Sequence, residues 1–409
     1  MPGCTRLPPG WWTMPTFDVL VVGAGPVGAA FALALAQVPA AAGLRIALVE
    51  AAEPPALADT RVLEPRALAV SCRSRRFLEG LGAWPEVLAR HVCPFYAMEV
   101  WDRHSSGHVR FDCAEVHQPR LGDIVGQPAL VAALIEALRA HPAVEFLCPA
   151  AVTAIARLPG GGFGVELGEA RIETRLLIAA DGPDSRVRSH FEIPTARWDP
   201  DQQALVAVLG TEFGHGHCAR QWFASSGPLA FLPLAGDGHQ VAIVWSQDRE
   251  RADRLGALAS EQLARELEIA SEGALGGVSL AGAHRLIPLR QHHAGDYWLR
   301  GLALLGDAAH VVHPLAGQGV NLGLADAEVL AEELAAALAE GLDLNDPEPL
   351  IRYQRRRRPE NLAMLAAMRT FKTLFAETRL PVALLRAVGM SAFDRADPLK
   401  RWVMRAAGG

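Results

Sequence analysis

Hydrophobic positions along the chain fall into three regimes. At the start, Phe17 to Val22 form an apolar run, a glycine-rich turn follows, an Ala-rich helix reaches Gln37, and Leu44 to Val49 form a second apolar run. That order predicts strand, helix, strand. In the middle, Ala204–Leu209, Ala219–Phe223, Leu229–Leu234 and Gln240–Trp245 are short β-rich runs between turn residues and predict an antiparallel sheet. Toward the end, Leu302 to Leu305 lead into Gly306-Asp307, a loop carries Pro314, Gly317 and Gly319, and a helix begins near Asn321. Leu322, Ala325 and Val329 recur there at helical spacing.

Weaker signals fill the gaps. Leu68, Phe77, Leu78 and Leu81 predict an amphipathic helix with a basic face and Arg66 at its start. Phe95 to Phe111 read as strands with Trp101 and Phe111 in the core, Ile124 to Arg139 as a helix, and Val144 to Leu147 as a strand. Leu158 to Gly168 read as a hairpin, and Leu176 to Ala180 as a buried strand that runs into Asp181-Gly182. Residues 250 to 270 read as one charged amphipathic helix, and everything beyond Asn345 as helical and basic. The run Arg355 to Arg358 reads as a solvated face, with a membrane or partner surface as the other reading.

Composition narrows the class. At 409 residues, more than one domain is expected. The net charge of -6 argues against general nucleic-acid binding. Six scattered cysteines without a CxxC pair exclude a cysteine zinc site and fit a reducing cytoplasm. No apolar run is long enough to span a bilayer. Residues 1–15 read as a disordered extension. The paired histidines lack carboxylate or cysteine support, so no metal site is assigned.

The chemistry lies in the turns. Gly23, Gly25 and Gly28 stand at GxGxxG spacing between a strand and a helix, and the next strand ends in Glu50. That is the dinucleotide fingerprint in its required context, with the acid placed for ribose hydroxyls. It does not separate FAD from NAD. Asp181-Gly182 followed by Arg186 and Arg188 reads as a phosphate-facing turn or as a plain Asp-Gly turn. The segment from Gly306 sets a carboxylate at a strand end and a helix N-terminus behind a loop, an arrangement suited to a negative group.

Taken together, GAGPVG with Glu50, the Asp181-Gly182 turn and GDAAHVVHPLAGQGVNLG resemble the FAD-dependent aromatic hydroxylases with a p-hydroxybenzoate hydroxylase-like fold. RALAVS with the following LGAW, HCARQWFASSGPLAFLPL, VAIVW and HPLAGQGVNLGLAD are similar to the ubiquinone-biosynthesis branch. The likeness runs from residue 16 to the end. A halogenase is disfavoured because no WxWxIP stretch is present.

The resemblance implies an α/β fold: a Rossmann-type FAD-binding domain (16–84, 119–189, 296–340), an inserted, mostly antiparallel substrate domain (85–118, 190–295) and C-terminal helices (341–409). It implies that Gly23, Gly25 and Gly28 bind the FAD pyrophosphate, Glu50 the ribose, and Arg66 the cofactor. It places Asp307 on the ribityl chain, with Pro314, Gly317, Gly319 and Asn321 beside the flavin ring. Asp181 is implied in FAD and NAD(P)H contact. Where relatives carry an aromatic or His and then Glu-Asn, this chain has Asp123, Gly126 and Gln127; Gln127 is carried over as a flavin contact.

The activity implied is a monooxygenase: NAD(P)H reduces FAD, dioxygen adds as a flavin hydroperoxide, and a phenol ring is hydroxylated. The greasy composition and basic C-terminus favour a polyprenylated phenol of ubiquinone biosynthesis, with peripheral contact at the inner membrane. Partner subunits or a homo-oligomer are left open. A soluble aromatic substrate and a non-catalytic flavoprotein subunit are the alternatives. Phe223, Leu232 and Trp245 are candidate walls or plain core, and no residue is assigned as general base.

Overall fold

The computed structural model describes residues 16–54, 56, 65–84, 88, 90–312, 319–377 and 379–408; Pro314 and Gly317, and the proposed extension 1–15, lie outside them. In chain order the first elements are β1 (Thr16–Val22), α1 (Pro26–Ala36), β2 (Ile46–Val49), β3 (Ala67–Ser71), α2 (Cys72–Gly80), β4 (Val92–Phe95), β5 (Ala97–Asp102), β6 (His108–Asp112), β7 (Gly122–Gly126) and α3 (Gln127–Arg139). Then come β8 (Val144–Leu147), β9 (Val152–Arg157), β10 (Phe163–Leu167), β11 (Ala170–Ala179), α4 (Arg186–His190), β12 (Thr195–Thr211), β13 (Cys218–Phe223), β14 (Leu229–Pro233) and β15 (Gln240–Asp248). The remainder is α5 (Arg249–Gly256), α6 (Ser260–Ala270), β16 (Val278–Leu280), β17 (Arg285–Ala294), β18 (Trp298–Leu299), β19 (Leu302–Leu304), β20 (His310–Val311), α7 (Gly319–Ala339), α8 (Glu348–Ala376), α9 (Leu380–Arg395) and α10 (Asp397–Gly408).

The first sheet has the order β18-β19-β11-β1-β2-β8, with β9 and β10 appended beside β11. Pairing is parallel from β19 through β11, β1 and β2 to β8. Parallel strands are covered on both faces, which is why β1, β2 and β19 read as continuous apolar runs. α1 is apolar all round because α3 and α7 pack against it.

The second sheet, β20-β17-β12-β15-β14-β13-β5-β6, is antiparallel except where β5 pairs parallel with β13. Alternation gives it two faces. Leu205, Ala207, Leu209, Trp222, Phe231, Ile243 and Trp245 face outward and form one core with α5 and α6. Trp245 therefore packs in the core with α5 and α6, on the face opposite Leu232. Leu232, Val208 and Ala242 face the other way and pack on Ala67, Ala69 and Ile124 of the small sheet β3-β7-β4.

Four local expectations change. Ile124 to Gly126, read as the start of a helix, belong to β7, which pairs with β3, and the helix begins at Gln127. Leu68 lies in β3 rather than in a helix, because β3 pairs along β7 and the Ser71 side chain accepts from the Ser74 amide to start α2. The helix over 250–270 is two helices. It breaks at Gly256, whose carbonyl meets the His284 ring at 3.0 Å and where an added Cβ would lie 2.8 Å from Leu286. Trp101 and Phe111 are half-buried, Trp101 stacking between Trp222 and His108.

Candidate cofactor and substrate site

The glycine turn shows a different constraint at each position. Gly23 has φ +102°, and a Cβ there would stand 2.3 Å from the Ala180 carbonyl; at Gly28 it would stand 2.0 Å from the Gly23 carbonyl. Both are closed by protein. A Cβ on Gly25 would meet nothing within 4 Å, so that position opens onto space. Gly25 also caps α1 without a side-chain hydrogen bond, leaving the helix's first amides aimed outward. Glu50 ties the turn down, its Oε2 accepting from the Ala24 N–H at 2.8 Å.

Asp181 follows β11 and caps α4, with Oδ2 accepting from the amides of Arg186 (2.8 Å) and Val187 (3.2 Å). Its Oδ1 is buried without a partner. Arg188, read as phosphate-facing, is buried and donates to the carbonyls of Ala308 and Pro183, both at 2.8 Å. It braces the Asp181 turn against the Gly306 turn and is not available to a phosphate; Arg186 is exposed.

The Gly306 turn reaches the same place. An added Cβ on Gly323 of α7 would meet Val27 at 2.5 Å and the Gly306 Cα at 3.2 Å, so α1, α7 and this turn are in close contact. Asp307 opens to solvent at the turn while protein surrounds it on most sides. Burial raises its carboxyl pKa, and His310 and Arg66 counter part of that rise. Gly319 begins α7. Asn321 donates to the Ala69 carbonyl (2.8 Å) and accepts from the Ser71 amide (2.9 Å). Gln127 starts α3, and its N–H donates to the Arg66 carbonyl at 2.9 Å, which sets those two residues side by side.

Two features were not legible beforehand. Asp123 is wholly buried, held by Arg75 at 3.0 Å and Arg120 at 2.9 Å, and so ties β7 to α2 and to the turn before it. Beneath the Gly306 turn, Asp326 of α7 binds His310 (2.6 Å), Arg357 (2.7 Å) and Asn361 (3.2 Å). Arg357, read as solvated, is 2% exposed. The signal available was Asp326 itself, a carboxylate among the apolar positions Leu324, Ala327 and Leu330.

The second sheet carries a further apolar cluster. Ala204, Val206 and Leu289 are buried and, with Val244 and Ile287, form an apolar cluster drawn only from sheet residues. It adjoins Leu232, on the face that meets β3 and β7, and β17 continues from it to pair with β20 just past Asp307. Phe223 lies at the edge, stacked on Phe375 of α8 with centroids 4.2 Å apart. Among the described residues, no cluster of three metal-ligating side chains exists and no helix is long and apolar enough to cross a membrane.

An open glycine cradle, an uncapped helix end and an unpartnered buried carboxylate oxygen fit a dinucleotide such as FAD. The FAD binding domain family model matches residues 16–367. The 3-demethoxyubiquinol 3-hydroxylase of Escherichia coli (strain K12) is 36% identical over 400 residues, covering 95% of this chain and 98% of that protein. Ubiquinone hydroxylase UbiL of Rhodospirillum rubrum is 36% identical over 393 residues, covering 96% and 89%. The crystal structure of PqsL, a probable FAD-dependent monooxygenase from Pseudomonas aeruginosa, superposes with a TM-score of 0.75 at 26% identity, covering 92% of this chain and 100% of that one.

Proposed function

The chain belongs to the FAD-dependent hydroxylases of ubiquinone biosynthesis, and on that footing we propose that it hydroxylates the aromatic ring of a polyprenylated phenol with NAD(P)H and dioxygen. Bound FAD supplies the redox chemistry and the activation of dioxygen. The chain's own work is to hold the cofactor, place the ring and keep water away.

In this reading Gly25 and the α1 N-terminus receive the pyrophosphate, while Gly23 and Gly28 hold the turn in shape. Glu50 serves the adenosine ribose, Asp307 the ribityl chain and Arg66 a cofactor contact beside Asp307 and Gln127, while Asp181 serves FAD and NAD(P)H contact. Gln127, Gly319 and Asn321, with Pro314 and Gly317, border the flavin ring. The division of the chain into FAD-binding, substrate and C-terminal parts belongs to the same proposal.

One observation carries the substrate class: among the described residues, the apolar half-face of Val206, Val244, Ile287 and Leu289 clusters with no apolar side chain from another layer. It suits a prenyl-bearing ring better than a charged phenolic acid. The test is quinone analysis of a strain lacking this gene, complemented with wild type or Asp307→Ala. Missing ubiquinone and an accumulated prenylphenol, restored by wild type alone, are expected. Normal ubiquinone in the deletion strain would refute this substrate and favour a soluble aromatic.

Contact with an anionic bilayer is part of the proposal. In α10, Lys400 points inward, bound to Glu115 and Asp394 at 3.0 Å, while Trp402 is 67% exposed beside Arg401 and Arg405. Beyond residue 340 the chain has 13 Lys/Arg against seven Asp/Glu, although its net charge is -6. The protein is expected to sediment with phosphatidylglycerol-containing vesicles but not with pure phosphatidylcholine, and Trp402→Ser to weaken that binding. No sedimentation with either lipid removes the membrane part alone.

A further inference from the structure

We propose that Asp326 is a positioning residue for the flavin pocket, holding the Asp307 turn and the first turn of α7 in fixed relation through a single buried carboxylate. The inference rests on the reading that Asp307 and the α7 N-terminus hold FAD.

Asp326 grips the turn on both sides of Asp307. Its Oδ2 accepts from the Gly306 N–H at 3.2 Å and lies 2.6 Å from the His310 Nε2. Its Oδ1 takes Arg357 Nε at 2.7 Å and Asn361 Nδ2 at 3.2 Å. Arg357 in turn donates to the Leu322 carbonyl at 3.3 Å and to Asn361 Oδ1 at 3.1 Å. Leu322 adjoins Asn321, which is bonded to β3. Turn, helix start and α8 are thus linked through two oxygens.

The arrangement points to geometry rather than to stability alone. A buried ion pair is often no more stabilising than apolar residues of similar volume, because desolvation offsets attraction. Asp326 is completely buried, and burial opposes its charge. His310 and Arg357 nonetheless hold its pKa below the usual carboxylate value, so the charge persists. That fixed charge lies beneath the turn proposed to meet the cofactor.

The test uses full-length Asp326→Asn. Asparagine has one acceptor oxygen and can serve the turn or Arg357, not both. The expected results are FAD affinity weakened at least tenfold, read by fluorescence titration of the apoprotein, and a more positive midpoint potential of the bound flavin. The potential moves because Arg357 loses its counter-charge. The double variant Asp326→Asn/Arg357→Met removes both charges. It is expected to return the potential toward wild type while FAD affinity stays weak, and its titration carries the test should the single variant fail to fold. FAD affinity and potential unchanged in both, with only a lowered melting temperature, overturn the positioning role. Asp307→Asn separates the two ideas: unchanged affinity there overturns the pocket assignment itself, whereas a loss there with normal Asp326 variants overturns the present inference only.

Discussion

Asn321 and Ser71, 250 residues apart, are joined by a 2.9 Å hydrogen bond in which the asparagine side chain accepts from the serine backbone N–H. The same amide donates to the Ala69 carbonyl at 2.8 Å, so one side chain pairs with the edge of β3 as a neighbouring strand would. Asn321→Ala leaves two backbone groups without partners. A loss of about 2–4 kcal/mol is expected from urea unfolding, with at least tenfold weaker FAD binding. Asn321→Asp keeps the acceptor but faces Ala69 with a carboxylate oxygen, and is expected to fall between.

Gly25 and Gly28 separate cofactor binding from folding. Gly25→Ala places a methyl group in open space at ordinary φ, so the apoprotein is expected to melt as wild type does while FAD titration shows strongly reduced affinity. Gly28→Ala drives a methyl group to 2.0 Å from the Gly23 carbonyl, and the apoprotein is expected to lose several kcal/mol, roughly 3 or more. Equal melting of the two variants contradicts this account.

Acid sensitivity follows from two buried histidines. Burial, then Arg188, lowers His292 to about 4, and burial, then His310, lowers His293 to about 4, against 6.5 ordinarily. The unfolded chain takes up protons that the folded chain refuses. Stability is therefore full above about pH 6.5 and falls as pH drops toward 4, by up to about 3 kcal/mol per histidine. Near pH 5 this pair is expected to contribute nearly two protons to the dependence of unfolding free energy on pH, and His292→Asn to lower that dependence by about one. A flat profile from pH 6.5 to 4.5 rules it out.

Arg386 fixes the C-terminal helices to the second sheet. Its guanidinium binds Asp102 at 2.6 and 3.0 Å, both side chains buried, and donates to the Leu374 and Glu377 carbonyls at the end of α8. Asp102→Leu strands the cation and is expected to cost about 3–5 kcal/mol; Asp102→Leu/Arg386→Met is expected to recover most of it. Denaturant unfolding of the two single variants and the double variant measures the coupling.

What the sequence made legible was local. Gly23, Gly25 and Gly28 with Glu50 could be read because turn, helix and strand adjoin within about 30 residues. The apolar run before Asp307 announced a doubly covered strand. Pairing between distant segments left no such trace. Arg357 sits in a run of four arginines and differs from its neighbours only by facing Asp326 across 31 residues. Arg188 looked like a phosphate ligand because neither Ala308 nor Pro183 advertises a carbonyl in need of a donor. Trp245 could be placed on a strand but not on a face, because both faces of β15 are apolar.

The strand order has a consequence in time. β1 finds β2 almost at once, but its other neighbour, β11, is reached only at residues 170–179, and β11 waits for β19 at 302–304. The Asn321 bond to β3 and the Arg357 contact with Asp326 come later still. A ribosome must therefore translate nearly the whole chain before the pocket can close, so FAD loading belongs to the last stage of biogenesis. Until then the growing chain presents an unpaired, apolar parallel edge, the period in which a chaperone has most to protect.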